Sequence, residues 1–269
     1  MVIEQLQDWG VYDLHTIAVA LSFAVARFLG LFIVLPMFGK SILPGLIRNS
    51  VAAVFALAVI PLAMPAVIET KDSPLLVMAI IGKEAFIGFV MGFLVAMLFW
   101  AIEAIGFIID NQRGATMSST MSPLTGVTTS PLAILLNQAA SVFFLISGGL
   151  LVLLRAVYES FIFWPIGSFW PKFVGNDGGL FFLQQLDRFM YVAMIMAAPV
   201  LIAMFLSELG LAMISRFAPQ LQVFFLSMPI KSAVGLFVLI IYAGFLFEYL
   251  GPELRAITDH LYELRGVME

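Results

Sequence analysis

Residues 75–109 read LLVMAIIGKEAFIGFVMGFLVAMLFWAIEAIGFII, and residues 110–131 continue as DNQRGATMSSTMSPLTGVTTSP. The first run carries three charges, Lys83, Glu84 and Glu103, and shows no apolar–polar alternation. A continuous apolar run is a membrane-crossing helix, because a hydrocarbon core takes about 20 helical residues. A barrel strand would instead alternate over about 10 residues. As one helix, 75–109 extends roughly 52 Å at 1.5 Å per residue, too long for one simple crossing. It is therefore expected to tilt, to project beyond the bilayer, or to break near Gly82, Gly88 or Gly92. The stretch 110–131 is the opposite in character: small, polar, with Met117 and Met121, and followed by a second apolar stretch over 132–163. Its build suits a movable plug and does not suit a catalytic centre.

The rest of the chain follows the same pattern. It is 62% hydrophobic and 11% charged, with a mean hydropathy of +1.07, where a soluble domain has about 45–50% apolar and about 25% charged residues. This predicts an all-α, polytopic integral membrane protein. Six apolar spans lie near 14–38, 46–68, 75–109, 132–163, 188–215 and 221–250. No internal repeat or linker divides them, so residues 1–269 read as a single domain with a central loop at 110–131 and a polar tail at 251–269. Pro36, Pro61, Pro65, Pro199, Pro219 and Pro229 are expected to interrupt or end helices, since proline lacks an N–H and clashes with the preceding turn. With no cysteine, disulfides, thiol catalysis and cysteine-bound metals are excluded. A net charge of −4 without a basic cluster argues against nucleic acid. The N-terminus carries Glu4, Asp8 and Asp13 and no early Lys or Arg, unlike a cleaved secretory signal. The basic residues outside the spans divide too evenly to set an orientation.

Ten charges fall inside or at the ends of the apolar runs: Arg27, Lys83, Glu84, Glu103, Asp110, Arg155, Glu208, Arg216, Lys231 and Glu248. Each costs about 2.5–3.5 kcal/mol at a bilayer centre. One reading is a proton or ion relay in a secondary transporter of a small solute. The favoured reading is structural, with Arg27, Lys83, Glu84, Glu103, Arg155, Glu208, Arg216 and Lys231 contacting other helices and neighbouring subunits. Lys83 and Glu84 are adjacent, so on a helix they are expected to point towards different partners. Gly88 and Gly92 form a small-residue step that lets helices approach closely. The methionines read as flexible filler, with Met117 and Met121 as candidates for a deformable seal. No enzyme motif is present, and His15 and His260 are isolated. No catalytic, cofactor or metal residues are assigned, and Glu208 with Lys231 is a weak acid/base pair.

Three stretches together resemble a known family. They are Ala26-Arg-Phe-Leu-Gly-Leu-Phe-Ile-Val-Leu-Pro-Met-Phe-Gly39, then Gly82-Lys-Glu-Ala-Phe-Ile-Gly-Phe-Val-Met-Gly-Phe93 running on to Ile109-Asp-Asn-Gln-Arg-Gly114, and Ser215-Arg-Phe-Ala-Pro-Gln-Leu-Gln-Val-Phe224 followed by Met228-Pro-Ile-Lys-Ser-Ala-Val-Gly235. In this order and spacing the chain is similar to the FliR/SctT family, the single-copy subunit of the type III secretion export gate. Residues 110–114 and Gln222 look more like the injectisome branch than the flagellar one. The resemblance implies a helical cone raised above the bilayer plane and assembled with two smaller membrane subunits, SctR/FliP-like and SctS/FliQ-like. It also implies an SctU/FlhB-like switch subunit and an SctV/FlhA-like export ring as neighbours, a place in the bacterial inner membrane within the basal body, and unfolded secreted proteins as cargo. In the family a central loop plugs the closed pore beneath a methionine-rich ring; the matching positions are Asn111 to Thr128. Of these, Asn111, Gln112, Arg113, Gly114, Ala115, Thr116, Met117, Ser118, Ser119, Thr120 and Met121 are the plug residues implied.

Overall fold

The computed structural model describes residues 13–39, 42–70, 73–115, 130–169, 178–217 and 223–268. Among the described residues there is no strand. Eight helices follow one another among the described residues: α1 Leu14–Val34, α2 Gly45–Leu57, α3 Ile60–Thr70, α4 Pro74–Gln112, α5 Pro131–Ile146, α6 Gly149–Phe163, α7 Gly178–Phe217 and α8 Val223–Met268, with a short 3-10 turn at Pro36–Phe38. Four helices are long and apolar enough to cross a membrane, and the number becomes six when each of two broken pairs, α2–α3 and α5–α6, is taken as one span. The fold is thus all-α and polytopic.

The run at 75–109 lies in one unbroken helix of 39 residues. At 1.5 Å per residue that is about 58 Å. None of its glycines breaks it. Gly88 and Gly92 instead meet α1: a Cβ on Gly88 would collide with the Arg27 carbonyl, and one on Gly92 would lie 2.7 Å from the Leu31 carbonyl oxygen. Gly30 on α1 returns the contact against the Ala85 carbonyl. The small-residue step therefore sets a backbone-to-backbone crossing of α1 and α4.

The prolines behave in two ways. Pro36 ends α1 in the 3-10 turn, and Pro61 follows the break between α2 and α3, which turns by 89°. Pro65, Pro199 and Pro229 sit inside helices, contrary to the expected interruptions. The lost proline N–H is tolerated in membrane helices when neighbours cover the freed carbonyl. Pro219 lies outside the described residues. At the α2–α3 break one freed carbonyl finds a side-chain donor. Val59 donates to the Ala56 carbonyl, which leaves the Phe55 carbonyl without its helical donor, and the Tyr158 hydroxyl donates to it at 3.0 Å. The α5–α6 break falls at Gly148, whose φ of +81° is left-handed. The polar tail continues α8 to Met268.

The chain divides into two compact units, one of residues 1–96, 148–181 and 256–269, the other of 97–147 and 182–255. In the first, α1 buries Thr16, Ala20, Phe23, Arg27, Phe28, Gly30 and Leu31, a stripe at three- and four-residue spacing. Phe28 gathers Phe55, Tyr158 and Phe161 at ring distances of 6.1, 5.8 and 6.4 Å. Phe32 stacks on Phe38 at 3.9 Å. In the second unit, Phe99 meets Phe144 edge-on at 5.4 Å, and Phe143 lies 5.8 Å from Phe247. Gly106 lets α4 touch the backbone of Leu132 and Ala133, and Gly235 faces the Met204 side chain. Met196 accepts a hydrogen bond from the Tyr242 hydroxyl at 3.5 Å, so part of the methionine content is core.

Candidate functional site

The segment 110–131 leaves α4 and enters α5, and both ends are described. Helix α5 begins with Ser130 and Pro131 because each suits its position. The serine hydroxyl accepts from the Ala133 N–H at 3.1 Å, and proline at the first helical position lacks only a donor that would go unused. Asp110, on the last turn of α4, is fully buried. Its Oδ2 accepts from the Ser130 hydroxyl at 2.5 Å and from the Leu132 N–H at 3.0 Å, while Oδ1 accepts from Arg113 Nε at 2.7 Å. Arg113 Nη1 donates onward to the Ser232 hydroxyl of α8 at 3.3 Å. Gly114 has φ +80°, a left-handed backbone that only glycine adopts cheaply, and it lies 3.7 Å from the Met228 side chain when a Cβ is placed on it. About two helical turns before Asp110, in the same unit, Glu103 accepts from the Asn137 amide at 2.6 Å.

Of the plug residues, Asn111 is exposed, and Gln112, Arg113, Gly114 and Ala115 are half-buried. Thr116, Met117, Ser118, Ser119, Thr120 and Met121 lie outside the described residues, as do the remaining positions to Thr128.

The charges sort by surroundings. Arg27, Glu84 and Ser160 are fully buried in one knot of the first unit. Arg27 approaches Glu84 Oε2 through Nε at 2.7 Å and Nη2 at 2.6 Å, donates to Ser160 Oγ at 2.7 Å and to the Trp164 carbonyl at 3.1 Å, and lies 3.8 Å over the Phe161 ring. All three guanidinium nitrogens have partners and one face lies on Phe161, which is how a buried charge is kept. Lys83 also reaches Glu84, with Nζ 2.8 Å from Oε1. This corrects the expectation that these adjacent residues serve different partners: the lysine stem is long enough to curl back. Its donors go to the carbonyls of Ile166 at 2.7 Å, Ser168 at 3.0 Å and Pro165 at 3.3 Å, so the contact with Glu84 is coulombic rather than an aligned hydrogen bond.

The other charges are more open. Arg155 pairs with Glu159 one turn along α6 at 2.8 Å, with the arginine largely exposed. Lys231 on α8 lies 3.2 Å from Glu208 on α7, whose side chain is 43% exposed. Arg216 is exposed in the last turn of α7, where a cation favours the helix end. Among the described residues no group of three or more His, Asp or Glu converges as a metal cage would.

Sequence reasoning named Asp110 as a charge without its capping role, and it missed Ser130, Asn137, Tyr158 and Ser160. The Ser-Pro start of α5 was the available signal for Ser130. Nothing local marks Ser160 or Tyr158, which act across long sequence separations.

The chain matches the family described as bacterial export proteins, family 1, over residues 18–257. It is 42% identical over 245 residues to Yop proteins translocation protein T of Yersinia pestis, covering 90% of this chain and 93% of that protein. It is 33% identical to the surface presentation of antigens protein SpaR of Salmonella typhimurium, covering 86% and 85%. With the flagellar biosynthetic protein FliR of Bacillus subtilis the identity is 29%, covering 82% and 85%.

Proposed function

This chain belongs to the bacterial export proteins, family 1, and on that premise we propose that it is the single-copy subunit of a type III secretion export gate, in which residues 111–128 close the channel. The observation that carries the reading is the segment 110–131 itself: small and polar, set between two apolar helices, and tied at both stems by buried hydrogen bonds. The role involves no bond chemistry and no cofactor. Unfolded substrate protein passes a channel that is otherwise sealed, and the small residues offer it no broad apolar face to stick to. The higher identity to the Yop translocation and antigen-presentation proteins than to the flagellar FliR supports the injectisome branch. The partners are the SctR/FliP-like and SctS/FliQ-like subunits, the SctU/FlhB-like switch and the SctV/FlhA-like ring, in the bacterial inner membrane. A small-solute transporter is less well supported, because Arg27, Lys83 and Glu84 hold one another and backbone carbonyls, with Phe161 laid across the guanidinium.

The test is to shorten the loop within Ala115–Met121. Removing about seven residues opens a gap that neighbouring side chains cannot span, at roughly 3.3–3.6 Å of chain per residue. The complex is expected to assemble and to conduct ions. Cysteine pairs between the loop and a partner's pore-lining residues are expected to stop secretion on oxidation, and the cysteine-free chain gives them a clean background. A tight membrane in the first case, with undiminished secretion in the second, would make the loop a mere connection.

A further inference from the structure

We propose that Asp110 is a positioning residue for the gate: one buried carboxylate holds the two stems of the 110–131 segment to each other and so keeps the channel sealed. The proposal rests on the gate reading above.

The geometry is specific. Asp110 takes donors from both sides of the loop, Arg113 from the stem that leaves α4, and Ser130 and Leu132 from the stem that enters α5, 20 and 22 positions further along the chain. All four residues belong to the same compact unit. Capping α5 does not by itself require the aspartate, because Ser130 already accepts from Ala133 as an N-cap does. Asp110 adds a tie across the loop. Its charge suits the site twice: it faces the positive end of the α5 dipole and it pairs with a guanidinium. Arg113 then passes the restraint on to Ser232 of α8. The chain turns out of α4 at Gly114, immediately beyond the arginine. Gly106, one turn before Asp110, brings α4 into backbone contact with Leu132 and Ala133, which places the carboxylate within reach of α5. Together these features hold residues 113 and 130 in fixed relation, whatever the intervening residues do.

The experiment uses the assembled export complex carrying Asp110→Asn, which keeps the shape and removes the charge and one acceptor. Spin labels at exposed Asn111 and Leu135 of an otherwise cysteine-free chain report the distance between the stems. Conductance in planar bilayers reports the seal, with the shortened loop as control. The expected result is a broadened stem distance and about a tenfold rise in ion leak, the weight of one charge-assisted hydrogen bond, with Asp110→Glu restoring part of both. Ser130→Ala and Arg113→Gln each remove one arm and are expected to leak less than Asp110→Asn; they carry the test if Asp110→Asn does not assemble. An unchanged stem distance in the assembled variants overturns the proposal. So does a tight membrane in them when the shortened loop leaks, and in that case the gate reading survives. If the shortened loop is also tight, the gate reading itself fails and the sealing role of Asp110 goes with it.

Discussion

At the scale of single residues, the most costly feature is the Arg27–Glu84 pair, both members with no solvent exposure. Removing one member leaves the other charged and uncompensated, a loss of roughly 3–5 kcal/mol. Glu84→Ala is therefore expected to lower the yield and thermal stability of the folded protein in detergent. The double variant Arg27→Met with Glu84→Leu is expected to recover most of that loss, because a well-packed apolar pair replaces a desolvated ionic one. Lys231→Ala leaves behind a Glu208 that is 43% exposed, so its effect is expected to be smaller. If Glu84→Ala assembles normally and loses only proton-coupled export, the pair is a relay and the structural account of it is wrong. The sequence marked both residues as misplaced charges but not as partners. The pairing depends on where two helices cross, and that is set by Gly30, Gly88 and Gly92 rather than by the charges themselves.

At the scale of helices, the glycines of α4 make contrasting predictions. A methyl group at Gly88 would meet the Arg27 backbone, which cannot yield without moving α1, whereas nothing lies within 4 Å of a Cβ at Gly82. Gly88→Ala is expected to destabilise the protein strongly. Gly82→Ala is expected to be neutral or to stabilise it by up to about 1 kcal/mol, the difference in helix propensity. Thermal unfolding of the purified variants compares them directly, and equal damage at the two positions would refute the crossing. Much of this scale was legible in the sequence. The apolar spans and the close-packing step follow from apolar run length and small-residue spacing. The helix interruptions were less legible, because a proline's effect depends on whether another group takes up the freed carbonyl. The same dependence shows where no proline is the cause: beside the α2–α3 break Val59 donates to Ala56, and Tyr158, from a helix about 100 residues away in sequence, takes up the Phe55 carbonyl. Where Pro65, Pro199 and Pro229 lie inside helices, the local rule overestimated the break.

At the scale of the whole molecule, the helices differ in how much of themselves the chain covers. The most apolar window of α4 is 61% buried within the chain, against 33% for α7 and 17% for α8. The outward residues of α7 include Phe205, Leu206 and Leu209, and Glu208 stands among them. Lipid alone would cover the apolar side chains, but Glu208 is 43% exposed even with Lys231 3.2 Å away, and the open part of a carboxylate is costly in hydrocarbon, where a full charge costs about 2.5–3.5 kcal/mol. A protein surface that offers polar groups to Glu208 removes that cost. The chain is therefore expected to be incomplete by itself and to co-purify, after gentle solubilisation, with two smaller helical membrane subunits. Native mass spectrometry is expected to find one copy of this chain per complex. Cross-linkers placed at Met213 or Phe205, both exposed on α7, are expected to capture those subunits before any copy of this chain. A monodisperse single chain that is stable and active in detergent, or captured products that contain only this chain, would argue for a self-sufficient transporter in place of a gate subunit.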